Sequence, residues 1–202
     1  MNKLLIATTN PAKFREISEY VKDLNLELVS LKDFPSIGPV LETGKTFEEN
    51  AKLKAEGYAA QTGLPTVADD GGLEIDALDG QPGVSSHRWI DPTKESTDEE
   101  LIAYTLRRMK SVPPTNRTAR FKVVVAFCFD GTCETATGVA EGRVAEEAAS
   151  TWERGFPYRA LIFTEKFGKL YKDLSPTEHD QINHRRSALA KLRPIISKRL
   201  RL

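Results

Sequence analysis

Apolar positions along the chain switch repeatedly between runs, alternation and helical spacing. Leu4-Leu5-Ile6-Ala7 is a short unbroken apolar run, the signature of a strand buried on both faces. It ends at Thr8-Thr9-Asn10-Pro11, where Asn10 can cap a helix and Pro11 suits its first position. Phe14, Ile17, Val21 and Leu24 recur every three or four residues, so that helix packs one face on the sheet. Leu26, Leu28 and Leu31 read as a second strand, and a loop rich in Pro and Gly follows through Pro35, Gly38 and Pro39. Thr46 and Glu49 form a capping box that opens a helix running to about Thr62.

A second apolar run, Leu64 to Ala68, leads into Asp69-Asp70-Gly71-Gly72, after which Leu73, Ile75 and Ala77 alternate with Glu74 and Asp76. Gly80 to Arg88 is a glycine- and serine-bearing loop. Thr97 and Glu100 cap a helix whose apolar stripe is Leu101, Ile102, Thr105, Leu106 and Met109. Arg120 to Phe129 and Cys133 to Val144 form a long hairpin about Asp130-Gly131, read as a second lobe. Ala160 to Phe163 makes one more strand. Ser175 to Glu178 starts a last helix that continues through Ile182, Leu189, Leu192 and Ile196, with Pro194 expected to kink it or end it early. The pattern predicts an α/β fold in one domain over residues 1–202, with the hairpin as its second lobe.

Composition narrows the function classes. Lysine plus arginine equals aspartate plus glutamate, 29 each, so no global field attracts nucleic acid or an anionic membrane. The basic residues Lys191, Arg193, Lys198, Arg199 and Arg201 cluster near the end and read as a solvated helix face. No apolar stretch reaches the roughly 20 residues that span a bilayer. The two cysteines, Cys128 and Cys133, flank the hairpin turn, where a cross-strand disulfide is geometrically conceivable. Without a secretory leader the expectation is reduced structural thiols in a cytoplasmic protein.

Four segments can carry chemistry. Paired carboxylates such as Asp69 and Asp70 at a buried strand end are costly to desolvate, and either form a polar turn or hold a hard cation and move a proton. Glu42 adds a third carboxylate. Thr8, Thr9, Asn10 and Lys13 place hydroxyls, free helix N–H groups and a cation together, which suits a phosphate as well as it suits an ordinary cap. Lys54, in the helix after Glu42, offsets phosphate charge if it faces inward. Gly83 to Arg88 is a loop ending in the cation Arg88, and His184-Arg185 can donate to a base carbonyl or a phosphate oxygen.

Taken in order, Thr-x-Asn-x-x-Lys-x-x-Glu, Glu-Thr-Gly-x-Thr-Phe-x-Glu-Asn-Ala, Ala-Asp-Asp-x-Gly-Leu, Pro-Gly-Val-x-Ser-x-Arg and a late His-Arg resemble the inosine/xanthosine triphosphate pyrophosphatases, from Thr8 to about Leu192. The resemblance implies a homodimeric, magnesium-dependent hydrolase of the α/β class, with an elongated central mixed β-sheet flanked by helices and two lobes with the active-site cleft between them. Its purine substrates are the non-standard triphosphates of inosine, deoxyinosine and xanthosine, cut between the α- and β-phosphates to a monophosphate and pyrophosphate. It implies that Thr8 to Lys13 hold the triphosphate and that Asp70 binds Mg2+ and accepts a proton with Asp69 and Lys54 beside it; Glu42, from the acidic set above, is the second expected metal ligand. It also implies substrate contacts for Gly71, Arg88, Phe156, Tyr158 and Lys169, with His184 and Arg185 reading the base.

Three departures qualify the match. Gly71 stands where the family has a substrate-touching serine, and Leu41 where many members carry an acidic metal ligand. The family's Gly-Phe-Gly-Tyr-Asp-Pro stretch is here Gly155-Phe156-Pro157-Tyr158-Arg159-Ala160. That last departure keeps open an alternative, a nucleotide-binding protein with weakened or altered catalysis.

Overall fold

The computed structural model describes residues 2–202. Its strands are β1 (Lys3–Ile6), β2 (Glu27–Ser30), β3 (Thr66–Ile75), β4 (Thr118–Phe129), β5 (Thr132–Val144), β6 (Ile162–Thr164) and β7 (Lys169–Leu170). The helices are α1 (Pro11–Val21), α2 (Phe47–Thr62), α3 (Asp98–Met109), α4 (Pro176–Ile182) and α5 (His184–Leu200). The seven strands form one sheet in the order β2-β1-β3-β4-β5-β6-β7. β1 runs parallel to both β2 and β3, while β6 is antiparallel to β5 and β7, so the sheet is mixed as the resemblance implies.

Two compact units divide the chain. Unit 1 holds the residues up to Gly71 with Val123–Gly138 and His184–Leu202. Unit 2 holds Gly72–Lys122 and Val139–Asn183. The hairpin is therefore not a lobe of its own: its tip belongs to unit 1 and its base to unit 2. Long strands allow this, because separate stretches of one strand can serve different cores.

In unit 1 the apolar runs are unbroken because the sheet is covered on both faces. Leu4, Ile6 and Val67 pack with Ile17 and Val21 of α1 and Leu189, Leu192 and Ile196 of α5. Their chain neighbours Leu5, Ala7 and Ala68 point the other way, onto Phe47, Ala51, Ala55 and Tyr58 of α2. Unit 2 has its own core, in which Leu101, Ile102 and Met109 of α3 meet Leu73, Ile75, Phe121, Val144, Leu161 and Tyr171.

The capping signals hold at atomic detail. Thr46, Thr97 and Ser175 each accept from the backbone N–H three residues on, and Glu49, Glu100 and Glu178 close the boxes. Gly63 ends α2 in the left-handed region at φ 69°. Asp130 and Gly131 both have positive φ (51° and 71°), the geometry of a two-residue type I′ hairpin turn.

Three expectations need correction. The last helix is two helices, because Asn183 leaves the helical region (ψ 117°) between α4 and α5. Pro194 does not end α5, which continues to Leu200; Leu192, Ile196 and Leu200 on either side of it are buried in the unit 1 core. The cysteines are joined as a disulfide rather than reduced. Residues 128 and 133 lie one step outside the pair that closes the turn, and such non-hydrogen-bonded positions bring cross-strand Cα atoms closest, here 4.1 Å.

Candidate active site

The pleat of β3 separates the two aspartates. Asp69 shares a face with Val67 and so looks toward α1 and α5; Asp70 shares a face with Ala68 and looks toward α2. Adjacent carboxylates of one chain are thereby given different neighbours, all of them in unit 1.

Asp69 is almost wholly buried among cations. Its Oδ2 accepts from Lys13 Nζ at 3.1 Å and from Arg185 Nε and Nη2 at 3.1 and 3.0 Å. Arg185 is 3% exposed and also pairs with Glu16 of α1. Burial pushes the Asp69 carboxyl up, but the charges of Lys13, Arg185 and Lys54 outweigh it and hold the group well below the usual carboxylate range. Arg185 is desolvated too, yet Asp69 and Glu16 fix its proton more firmly still. Asp69 Oδ1 is buried with no hydrogen-bond partner among the described residues.

Asp70 has the opposite balance. Asn50 Nδ2 donates to its Oδ2 at 3.1 Å, and Lys54 Nζ lies 3.7 Å from its Oδ1 and 2.8 Å from Glu42 Oε2. Burial is the largest influence and Glu42 adds to it, so despite Lys54 and Lys13 the Asp70 carboxyl is raised above its ordinary value. Lys54 is desolvated, but Asp70, Asp69 and Glu42 together raise its affinity for the proton. Around β3 three cations (Lys13, Lys54, Arg185) face four carboxylates (Glu16, Glu42, Asp69, Asp70).

Other predicted residues sit nearby in the same unit. Asn10 Oδ1 accepts from the Ala12 and Lys13 N–H groups at 2.9 and 3.3 Å, and Thr8 Oγ1 accepts from Asn10 N–H at 3.2 Å. These two side chains brace the turn itself. Thr9 is exposed there, and Gly71 follows Asp70 on β3. His184 is buried at the start of α5, where its carbonyl comes so near Gly138 that a Cβ on residue 138 would lie 1.8 Å from the oxygen.

Unit 2 holds the remaining predicted residues, each with a partner inside the unit. Tyr158 is a core residue whose hydroxyl donates to the Ser86 carbonyl at 2.8 Å. Arg159 lies 3.7 Å over the Phe156 ring and pairs with Glu153 at 3.3 Å. Lys169 Nζ donates to both Glu178 oxygens at 2.8 and 3.0 Å. Arg88 is exposed, 3.7 Å from Glu95.

Patterning alone assigns no role to Glu16 or Asn50. A spacing signal existed: Glu16 is one turn beyond Lys13 on α1, and Asn50 one turn before Lys54 on α2. Asn50 Oδ1 also accepts from the Gly44 N–H at 2.8 Å, tying the loop that carries Glu42 to the helix that carries Lys54.

Comparison with known proteins identifies the family. The Ham1 family model matches residues 4–195. The dITP/XTP pyrophosphatase of Geobacter sulfurreducens is 41% identical over 194 residues, 96% of each chain. That of Geobacillus kaustophilus is 40% identical over 193 residues, 95% of this chain and 93% of the relative. The structure of a HAM1 protein from Coxiella burnetii superposes with a TM-score of 0.85 at 34% identity, over 98% of this chain and all of that one. A match of this extent in sequence and fold places the chain in the Ham1 family.

Proposed function

We propose that the protein hydrolyses non-standard purine nucleoside triphosphates, of the dITP and XTP class, to the monophosphate and pyrophosphate. Its relatives carry that activity in their names. The observation that carries the reading is the divergence of two adjacent aspartates: Asp69 is enclosed by Lys13 and Arg185, while Asp70, its carboxyl raised by burial, stands with Glu42 against Lys54. In this reading Asp70 accepts the proton of a water that attacks the α-phosphorus. The new bond is oxygen to Pα, the broken bond joins Pα to the bridging oxygen, and pyrophosphate leaves with the bonding pair. Lys54 and Lys13 balance the charge that develops on the phosphates. Arg185, enclosed by Asp69 and Glu16, positions Asp69; His184 is the residue assigned to the base.

The residues fit a divalent cation. Carboxylates outnumber cations around β3, and Glu42 with Asp70 supplies hard oxygen donors of the kind magnesium combines with substrate phosphates and water. When bound, Mg2+ would neutralise phosphate charge and favour the ionised form of the attacking water. Phe156, Tyr158, Arg88, Lys169 and Gly71 keep their substrate assignments on the motif resemblance alone. The same resemblance supports a cytoplasmic homodimer. Among the described residues no helix is long and apolar enough to cross a membrane.

The test is a nucleotide panel with magnesium, scoring pyrophosphate against orthophosphate. Pyrophosphate from dITP and XTP, with little from dATP, is the expected result. Orthophosphate as the product, or equal rates on every base, would refute the assignment.

A further inference from the structure

The disulfide lies in unit 1 beside a third potential ligand that the hydrolytic reading does not use. Cys128 is buried in the core under α2, Cys133 is partly exposed, and Glu56 stands exposed on α2 above them. The two sulfurs and a Glu56 carboxylate oxygen all lie within 4.8 Å of one another, the only such cluster of three or more His, Cys, Asp or Glu ligands among the described residues. Ligands bound at 2.3 Å to a tetrahedral ion stand about 3.8 Å apart, so the two sulfurs must part to about that distance once the disulfide opens, while the Glu56 oxygen already lies within reach.

Local structure supplies the preorganisation. The type I′ turn at Asp130-Gly131 fixes the register, and the non-hydrogen-bonded pairing sets both sulfurs on one face. Ala51, Ala55 and Tyr58 of α2 pack into the same core as Cys128, which keeps Glu56 over the hairpin. Thr135 Oγ1, two residues beyond Cys133 on β5, donates to Glu48 Oε1 at 3.2 Å and ties the strand to the same helix. Two thiolates and one carboxylate make a soft-to-borderline donor set, suited to zinc or cadmium rather than to magnesium. The exposed side leaves a fourth position for water.

We propose that Cys128, Cys133 and Glu56 form a thiol-gated site for one thiophilic divalent cation, closed while the disulfide stands and opened by a dithiol reductant. In the opening step the dithiol gives two electrons and two protons to the Cys128–Cys133 bond and itself ends as a disulfide. Binding the ion then displaces the two thiol protons, giving two thiolate bonds and one carboxylate bond to the metal.

The full chain is reduced with excess dithiol, desalted under nitrogen and titrated with cadmium chloride. The expected results are two reactive thiols per chain after reduction and none before. Cadmium should bind at one equivalent, raise a thiolate-to-metal charge-transfer band, protect both thiols and release two protons. Cys133→Ser should abolish the band. Glu56→Gln changes an exposed side chain and leaves the fold intact; it should weaken cadmium affinity about tenfold or more. A reduced wild-type chain that shows two free thiols but no band overturns the proposal. So does a disulfide that a dithiol cannot reduce, or a Glu56→Gln variant that binds as well as wild type.

Discussion

Each unit contains one dense network of charged side chains, and the two behave differently because of where water is. In unit 1, Glu16, Arg185, Asp69 and Lys13 are linked in a chain in which Asp69 is 1% and Arg185 3% exposed. In unit 2, Arg120 reaches Asp76 at 2.8 Å, Glu141 at 3.3 Å and Glu74 at 3.7 Å, while Lys122 holds Glu74 at 3.2 Å. Its acceptors Asp76 and Glu141 are 44% and 70% exposed. Contact distances are similar. What differs is the desolvation penalty, several kcal/mol per ion in the interior and little at the surface. Within the buried network the neighbouring cations lower the Asp69 carboxyl while burial raises that of its chain neighbour Asp70, and the proposed mechanism uses that contrast.

The comparison breaks first at Asp70. Asp70→Asn keeps the shape and removes the proton acceptor, so turnover with dITP should fall about 10³-fold while far-ultraviolet circular dichroism stays unchanged. A variant with wild-type pyrophosphate release would detach the raised aspartate from catalysis.

Stability should discriminate next. Arg185→Met leaves Asp69 and Glu16 buried without their shared cation, and urea unfolding should show a loss of about 3 kcal/mol or more. Arg120→Ala removes the hub of the unit 2 network, yet screening by water should limit its cost to about 1 kcal/mol or less. Equal losses for the two variants would mean that burial does not separate the networks.

The sequence carried the parts of this contrast that depend on short-range pattern. The run Leu64 to Ala68 announces a strand covered on both faces, and the period of two then dictates that Asp69 and Asp70 diverge. Capping boxes locate α2, α3 and α4 because their signals lie within four residues. Long-range partners are not written in any local pattern. Arg185 lies 116 residues from Asp69, so its enclosure by Asp69 and Glu16 had to come from the packing of α5 on α1. Gly138 likewise looks like an ordinary strand glycine until the His184 carbonyl arrives against it. No pattern marks the strand β7, because two residues are too few to show periodicity. None marks the split of the last helix either, because Asn183 interrupts an apolar pattern that itself continues.

The mildest test concerns a half-buried carboxylate in unit 2 that is shifted strongly. The hydrogen bond from Lys169, joined by those from the Ser175 backbone and hydroxyl, lowers the Glu178 carboxyl from 4.5 to about 2. A lowered carboxyl favours the folded state above its unfolded value and loses that contribution as pH falls through the folded one, so the window here is from about 4.5 down to about 2. Carboxyl-detected NMR titration should place the Glu178 midpoint near 2 in wild type and bring it back toward 4.5 in Lys169→Met, with the capping box still intact. If the midpoint stays low without Lys169, the Ser175 cap alone sets it, and Glu178 does not need Lys169 to stay ionised. If it rises, the Lys169–Glu178 bond sets the shift, and a substrate contact by Lys169 would have to compete with it.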